Sequence, residues 1–337
     1  MPDLITNLAL RLLEEPLDAV PRYRLLKDVL QWPADHPDMQ MARNQAMQSP
    51  HVLALCGSQS PDGSWGRFRR PDDWPVARPD RTTESALVRA QALGMDRDHP
   101  AIQRAISYLA GLIDHSISWP DLGPLAVGGA SGFELAAAAR LSQLDSGHPA
   151  VRAVAAKWED IISASLTGDG IDRTIYHERY ERYFGQPEEV MSDRILSAYV
   201  LWLLRDRLDY AVSLRLTDYL INRSRGIFLI NNRALRYLPL SFQSRECQRY
   251  LVALSILADY PSAGTLLESA FNWLWDQMNN NGFWDFGDVA RDGLELPLSD
   301  SWRRKGSRQA DCTVRILSLM VRLQRSCEIR KAICHVL

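Results

Sequence analysis

Lysine is scarce in this chain. Of 39 basic residues only Lys27, Lys157, Lys305 and Lys331 are lysine, and the other 35 are arginine. Codon usage in a GC-rich genome produces that bias. A demand for planar guanidinium forks against phosphate or carboxylate also produces it. Excess positive charge is missing too. The formal net charge is -2, which argues against a globally basic nucleic-acid binder and leaves room only for local patches. No apolar run reaches the roughly 18 residues that span a bilayer. The opening stretch carries acids where a secretory signal would carry bases. Five cysteines are an odd number in a chain of 337 residues. They point to reduced thiols and a cytoplasmic setting rather than a disulfide framework. Sustained alternating runs of Val, Ile and Thr are nearly absent, so strands are not expected.

Helical spacing is abundant. Apolar residues recur at that spacing in Tyr23–Leu30, Leu87–Leu93, Ile102–Ile113, Leu135–Leu144, Ile195–Leu204, Leu251–Ala258 and Val314–Leu323. An all-α fold follows. The ten Trp residues add a period. Leu55-Cys-Gly-Ser-Gln59 leads to Gly63-Ser-Trp65, and Trp273-Leu-Trp-Asp-Gln277 leads to Gly282-Phe-Trp284. Weaker echoes stand at Trp119, Asp172 and Phe228. Positions 65, 119, 172, 228 and 284 are 54, 53, 56 and 56 residues apart, a spacing too regular for chance.

Each repeat then shows a Ser or Thr suited to open a helix: Thr82, Ser131, Ser192, Ser244 and Ser307. A second, more charged helix starts near His99-Pro100, His148-Pro149, Leu208-Asp209 and Pro261-Ser262. The less charged first helix is expected inside and the second outside. With an N-terminal pair (Arg22–Gln31, Pro50–Gly57) the count is six helical hairpins. They predict one closed domain over residues 1–337, an (α/α)6 toroid around a central cavity.

The two Gln-to-Gly-x-Trp segments resemble the QW repeats of the squalene cyclase and protein prenyltransferase superfamily. That resemblance implies an α/α toroid in which Gln59, Trp65, Gln277 and Trp284 are structural staples. Catalytic signatures of related enzymes do not match. The Asp-x-Asp-Asp of squalene cyclases and the Asp-Asp-x-x-Asp of magnesium-dependent terpene synthases are absent. The zinc-binding Asp-x-Cys of protein prenyltransferases has a near counterpart in Asp311-Cys312. One missing residue turns the side chain by about 100° on a helix, so no metal and no cofactor is expected. Cys312 and Cys247 read as small buried residues.

In such a toroid the inner-helix N-termini share one end, where dipoles favour anions. The pocket is expected to open there. Each first turn holds an acid: Glu84, Glu134, Asp193, Glu246 and Asp311. Helix capping accounts for Glu84 and Glu134. For Asp193, Glu246 and Asp311, capping and catalysis weigh equally, because Arg194, Arg245 and Arg308 stand beside them. Tyr176 and His177, in a segment read as a loop over Thr174–Tyr183, are further catalytic candidates, weighed against a covering segment. Trp302, Arg303 and Arg304 precede the last inner helix and form a candidate anion clamp.

Three functions compete. The first is an enzyme that cyclises or transfers an apolar, isoprenoid-type substrate by acid-initiated or carbocation chemistry. The second is a non-catalytic hydrophobic-ligand binder or scaffold on the same toroid. The third is a carbohydrate-active (α/α)6 enzyme using paired carboxylates. A small apolar substrate is the expected partner. Nucleic acid and a transmembrane segment are not expected, and peripheral membrane contact is allowed.

Overall fold

The computed structural model describes residues 2–69, 82–120, 130–168, 170–185, 195–260, 263, 267–287 and 296–334. The described chain is almost wholly helical. Its helices are α1 (Pro2–Leu13), α2 (Ala19–Arg24), α3 (Pro37–Met47), α4 (Pro50–Gly57), α5 (Thr83–Ala92), α6 (Pro100–Ile113), α7 (Ala130–Leu144), α8 (Pro149–Ser165), α9 (Arg173–Phe184), α10 (Ala198–Leu204), α11 (Tyr210–Asn222), α12 (Arg245–Leu257), α13 (Glu268–Asp276) and α14 (Lys305–Cys334). A π-helical turn, Leu25–Val29, continues α2. A two-stranded ladder, β1 (Leu166–Thr167) with β2 (Gly170–Ile171), is the only sheet among the described residues.

Local chemistry sets these boundaries. His36, His99 and His148 each stand before a proline that opens α3, α6 or α8. In each case Nδ1 accepts from the backbone N–H two residues on, at 3.2 Å. This supplies an acceptor to an orphaned donor, while proline occupies a position that needs none. Thr82 opens α5 in a reciprocal capping box with Ser85. Ser244 caps α12 by accepting from the Cys247 N–H at 3.0 Å.

Other expected starts move. α7 begins at Ala130, so Ser131 lies inside it. α14 begins at Lys305, which places Ser307 in its first turn. α10 starts at Ala198, and Ser192 lies outside the described residues. The Thr174–Tyr183 segment is not a loop but part of α9. Asp172 accepts from the Thr174 and Ile175 N–H groups at 2.9 and 3.1 Å and caps that helix. Tyr176, Tyr180 and Phe184 recur every fourth residue and form one face. Tyr180 and Phe184 pack on Trp158 of α8, with ring centroids 6.0 and 5.9 Å away. Gly185, at φ 70°, ends the helix in the left-handed region that glycine tolerates.

The less charged helices form the core. Every residue of α10 is buried. So are Ala136 to Ala139 and Leu141 of α7, and Val314, Ile316, Leu317, Met320 and Leu323 of α14. α7 packs against α6, α8 and α10, and α14 packs against α1, α2 and the π turn. The first and last described helices are therefore neighbours. None of the helices in the described residues is long and apolar enough to cross a membrane.

Candidate functional site

Two turns 219 residues apart are built alike. The Trp65 indole N–H donates to the Leu55 carbonyl at 2.8 Å, and the Trp284 indole N–H donates to the Leu274 carbonyl at 2.7 Å. The Trp65 backbone N–H donates to Thr83 Oγ1 and that of Trp284 to Thr313 Oγ1, at 2.9 and 3.1 Å. Ser60 N–H bonds Ser64 O as Asn279 N–H bonds Phe283 O, and Gly63 and Gly282 both take positive φ. Each Trp thus ties the end of one helix to a later one, Trp65 to the first residue of α5 and Trp284 to the third turn of α14. Both indoles are buried staples, as the sequence repeat implies. Gln59 also holds its turn, donating to Gly63 O and Ala101 O at 2.9 and 2.8 Å. Counting back from the glycine, Met278 rather than Gln277 occupies the place of Gln59. The echoes differ from these turns: Asp172 caps α9, and Trp119 packs edge-on against Phe68 and Phe133.

A cavity of about 300 Å3 lies toward the C-terminal ends of α5, α7, α10 and α12, against α14. This cavity does not lie at the helix N-termini; segments that precede α5, α7, α10 and α14 at that end fall outside the described residues. The cavity wall is largely apolar and includes Val88, Trp202, Leu251, Phe286 and Leu319. Arg24, Arg140, Arg315 and Arg322 also line it, and no carboxylate does so among the described residues.

Two of these arginines, Arg24 and Arg322, serve helix C-termini, where unpaired carbonyls concentrate negative charge. Arg24 donates to the Gln91 and Ala92 carbonyls that end α5. Arg322 donates to Ser255 Oγ at 2.8 Å near the end of α12 and pairs with Asp259 at 2.6 Å. Arg205 reaches the Ser142 carbonyl of α7 at 3.4 Å and Asp259 at 3.5 Å. The arginine subset that organises this region was missed in the sequence because the dipole argument was applied only to helix starts.

Arg140 links the cavity to a buried ionic cluster. Its Nε and Nη2 donate to Glu84 Oε1, both at 3.0 Å, and its Nη1 donates to Gln143 Oε1 at 2.9 Å. Tyr199 Oη donates to the same Glu84 oxygen at 2.7 Å. The Arg140 guanidinium lies 4.2 Å from the Trp202 ring centroid. Burial and the Glu84 charge push the Tyr199 phenol well above its usual value, against Arg69 and Arg140. Thr82 and Ser85 cap α5, and the Glu84 carboxylate instead joins α5 to Arg140 and Tyr199. The available signal was Arg140 itself, the one basic residue in the largely apolar run Phe133–Leu144, which required a partner.

Among the described candidate residues from the sequence, the structure brings Asp311 together with Trp302 and Tyr176 together with His177. Asp311 is fully buried and accepts from the Leu298 N–H at 2.7 Å, the Ser299 N–H and hydroxyl at 3.0 and 2.5 Å, and the Trp302 indole at 2.6 Å. Burial raises this carboxyl, while Arg315, Ser299 and Trp302 oppose the rise. All four groups donate, so Asp311 acts as the anchor of the loop before α14. Trp302 spends its indole N–H there.

Arg308 forms a forked pair with Asp285 at 2.7 and 3.1 Å. Burial works to raise the Asp285 carboxyl, but Arg308, the Gly287 N–H and Lys305 outweigh it and hold it below the usual value. Glu246 pairs with Arg233 at the surface. Arg245, Arg303 and Arg304 are exposed. Tyr176 is buried in the α9 aromatic face, and His177 meets it edge-on at 5.7 Å. Asp193 and Arg194 lie outside the described residues. Among the described residues no three His, Cys, Asp or Glu side chains gather as metal ligands. Cys247 and Cys312 are buried, and burial pushes the Cys247 thiol well up.

No family model, curated protein or solved structure matches this chain.

Proposed function

We propose that the chain is a toroid of six helical hairpins, of the kind its two Trp turns resemble, and that its cavity holds an apolar, isoprenoid-type molecule with an anionic end. Helix contacts support the ring. Arg24 joins α2 to α5, Glu84 and Arg140 join α5 to α7, and α7 packs on α10. α10 meets α12, Arg322 joins α14 to α12, and α14 returns to α2 and the π turn. In this reading α1 supplies the outer partner of α14. Arg11 of α1 sits at the Gly282 turn as Arg104 of α6 sits at the Gly63 turn.

The observation that carries the ligand reading is the cavity wall. Apolar surface with a few convergent polar groups is the usual make-up of a small-molecule site. At about 300 Å3 the cavity suits a short chain. Four guanidiniums reach the wall and no carboxylate does so among the described residues, although Arg24, Arg140 and Arg322 also pair with Asp28, Glu84 and Asp259 behind it; that wall favours an anionic headgroup. It does not favour proton delivery by an acid, and Asp311 is committed to its loop. Binding of the apolar ligand is therefore the preferred activity over acid-initiated cyclisation.

The test is a titration of the full chain with geranyl diphosphate, followed by tryptophan fluorescence and thermal unfolding. Saturable quenching and a rise in Tm are expected, since a ligand that binds only the folded state stabilises it. Val252→Trp, which fills the cavity, should abolish both signals while the fold survives. An absence of binding by geranyl diphosphate, geraniol and a medium-chain fatty acid would overturn the reading.

A further inference from the structure

The segment joining α11 to α12 carries unusual charge. From Tyr219 to Ala258 there are six arginines (Arg223, Arg225, Arg233, Arg236, Arg245 and Arg249) and one acid, Glu246. Five of the six arginines are exposed, Arg223 being half-buried. At the crest stand Tyr237, 50% exposed, and Leu240, 92% exposed. A single exposed leucine is ordinary, but this one is almost bare and stands in a segment rich in exposed arginine.

The crest is held in place. Tyr250 Oη donates to the Leu235 carbonyl at 3.3 Å, and the Arg233 N–H donates to Asn231 Oδ1 at 3.1 Å. Leu238 packs on the core and Pro239 is buried. Arg236 lies 5.0 Å from the Tyr237 ring centroid and donates to its hydroxyl at 3.2 Å. The neighbouring loop adds exposed Arg303, Arg304 and Lys305. Gln243 donates to the Asp285 carbonyl at 3.4 Å, and the Asp285 side chain in turn accepts from Arg308 in the first turns of α14.

We propose that this face docks on an anionic lipid surface. Leu240 and the Tyr237 ring enter the headgroup boundary, and the arginines meet lipid phosphates. Tyrosine suits that boundary because it pairs an apolar body with a polar tip. Basic residues beside an apolar insertion give the two signals that stable peripheral binding needs. Nucleic acid would satisfy the arginines equally well, but it offers nothing to a bare leucine. The docking does not rest on the cavity reading: this loop leads into the start of α12, whereas the cavity lies toward its end.

The experiment is flotation of the full chain with phosphatidylcholine vesicles, with and without phosphatidylglycerol. Binding to the anionic vesicles alone, released by salt, is expected. Leu240→Ser should weaken it about tenfold, and Arg236→Gln about fivefold. Both variants should keep the wild-type Tm and geranyl diphosphate titration. Equal binding to neutral vesicles, no binding to either, or Leu240→Ser floating like wild type would overturn the proposal. Tighter binding to a single-stranded oligonucleotide, indifferent to Leu240→Ser, would also overturn it in favour of nucleic acid.

Discussion

The Arg140 guanidinium places two hydrogen bonds of 3.0 Å on one oxygen of Glu84, and both side chains are 2% exposed. They lie 56 residues apart in sequence and join α5 to α7. Removing one partner strands a buried charge, at a cost of roughly 3–5 kcal/mol. Glu84→Ala should lower stability in urea by about that amount, and it also strips Tyr199 of its acceptor. The double variant Glu84→Leu with Arg140→Met should recover most of the loss. A double variant as unstable as Glu84→Ala would mean that the pair has a further role.

The two Trp turns allow a differential test. A Cβ on Gly63 would strike the backbone carbonyl of Arg104, whereas one on Gly282 would strike the mobile end of the Arg11 side chain. Both glycines have positive φ, so both alanine variants are strained. Gly63→Ala should be the more destabilising of the two, by about 1 kcal/mol or more. Chemical denaturation of the two variants side by side decides the order.

Asp311 distinguishes anchor from acid. Asp311→Asn keeps the shape but turns an N–H2 toward groups that all donate. The loop from Leu298 to Trp302 should loosen, with a loss of about 1–3 kcal/mol and a change in tryptophan emission. Geranyl diphosphate binding should persist. Loss of binding with unchanged stability would return Asp311 to the site.

His99 makes stability depend on pH. Burial lowers its pKa below the ordinary 6.5, with Arg43 and Arg104 acting in the same direction and Asp96 opposing. The folded state therefore holds fewer protons than the unfolded state near that value, and stability increases with pH. The contribution is present above about pH 6.5 and is lost as pH falls toward the folded pKa. Protonation also removes the Nδ1 acceptor that caps α6. His99→Asn retains a capping oxygen at every pH. The variant should unfold with a flatter dependence of Tm on pH between roughly 7 and 5.

The helical class and the paired turns at Trp65 and Trp284 were legible because each rests on short-range signals: apolar spacing, a positive-φ glycine and a capping hydroxyl. The His-Pro starts of α6 and α8 were legible for the same reason. α9 was not read as a helix because its high charge masked the Tyr176, Tyr180 and Phe184 stripe. The cavity at the helix C-terminal ends was not anticipated because helix dipoles were used at N-termini alone. At C-termini the same physics predicts cations, and Arg24, Arg205 and Arg322 occupy those places. The Glu84–Arg140 pair depends on contact between distant helices, which spacing along one helix does not reveal.

Arg11 donates to the Asn281 carbonyl and covers the Phe283 ring at 5.0 Å, across 270 residues of sequence. At roughly 5–20 residues per second, a ribosome needs tens of seconds to deliver the second partner after the first. Through that interval α1 has its apolar face, Ile5, Leu8, Ala9 and Leu12, made but without its covering helix. The seam between α1 and α14 thus cannot close before α14 is made, and a nascent chain is open to proteases and chaperones there until that helix emerges.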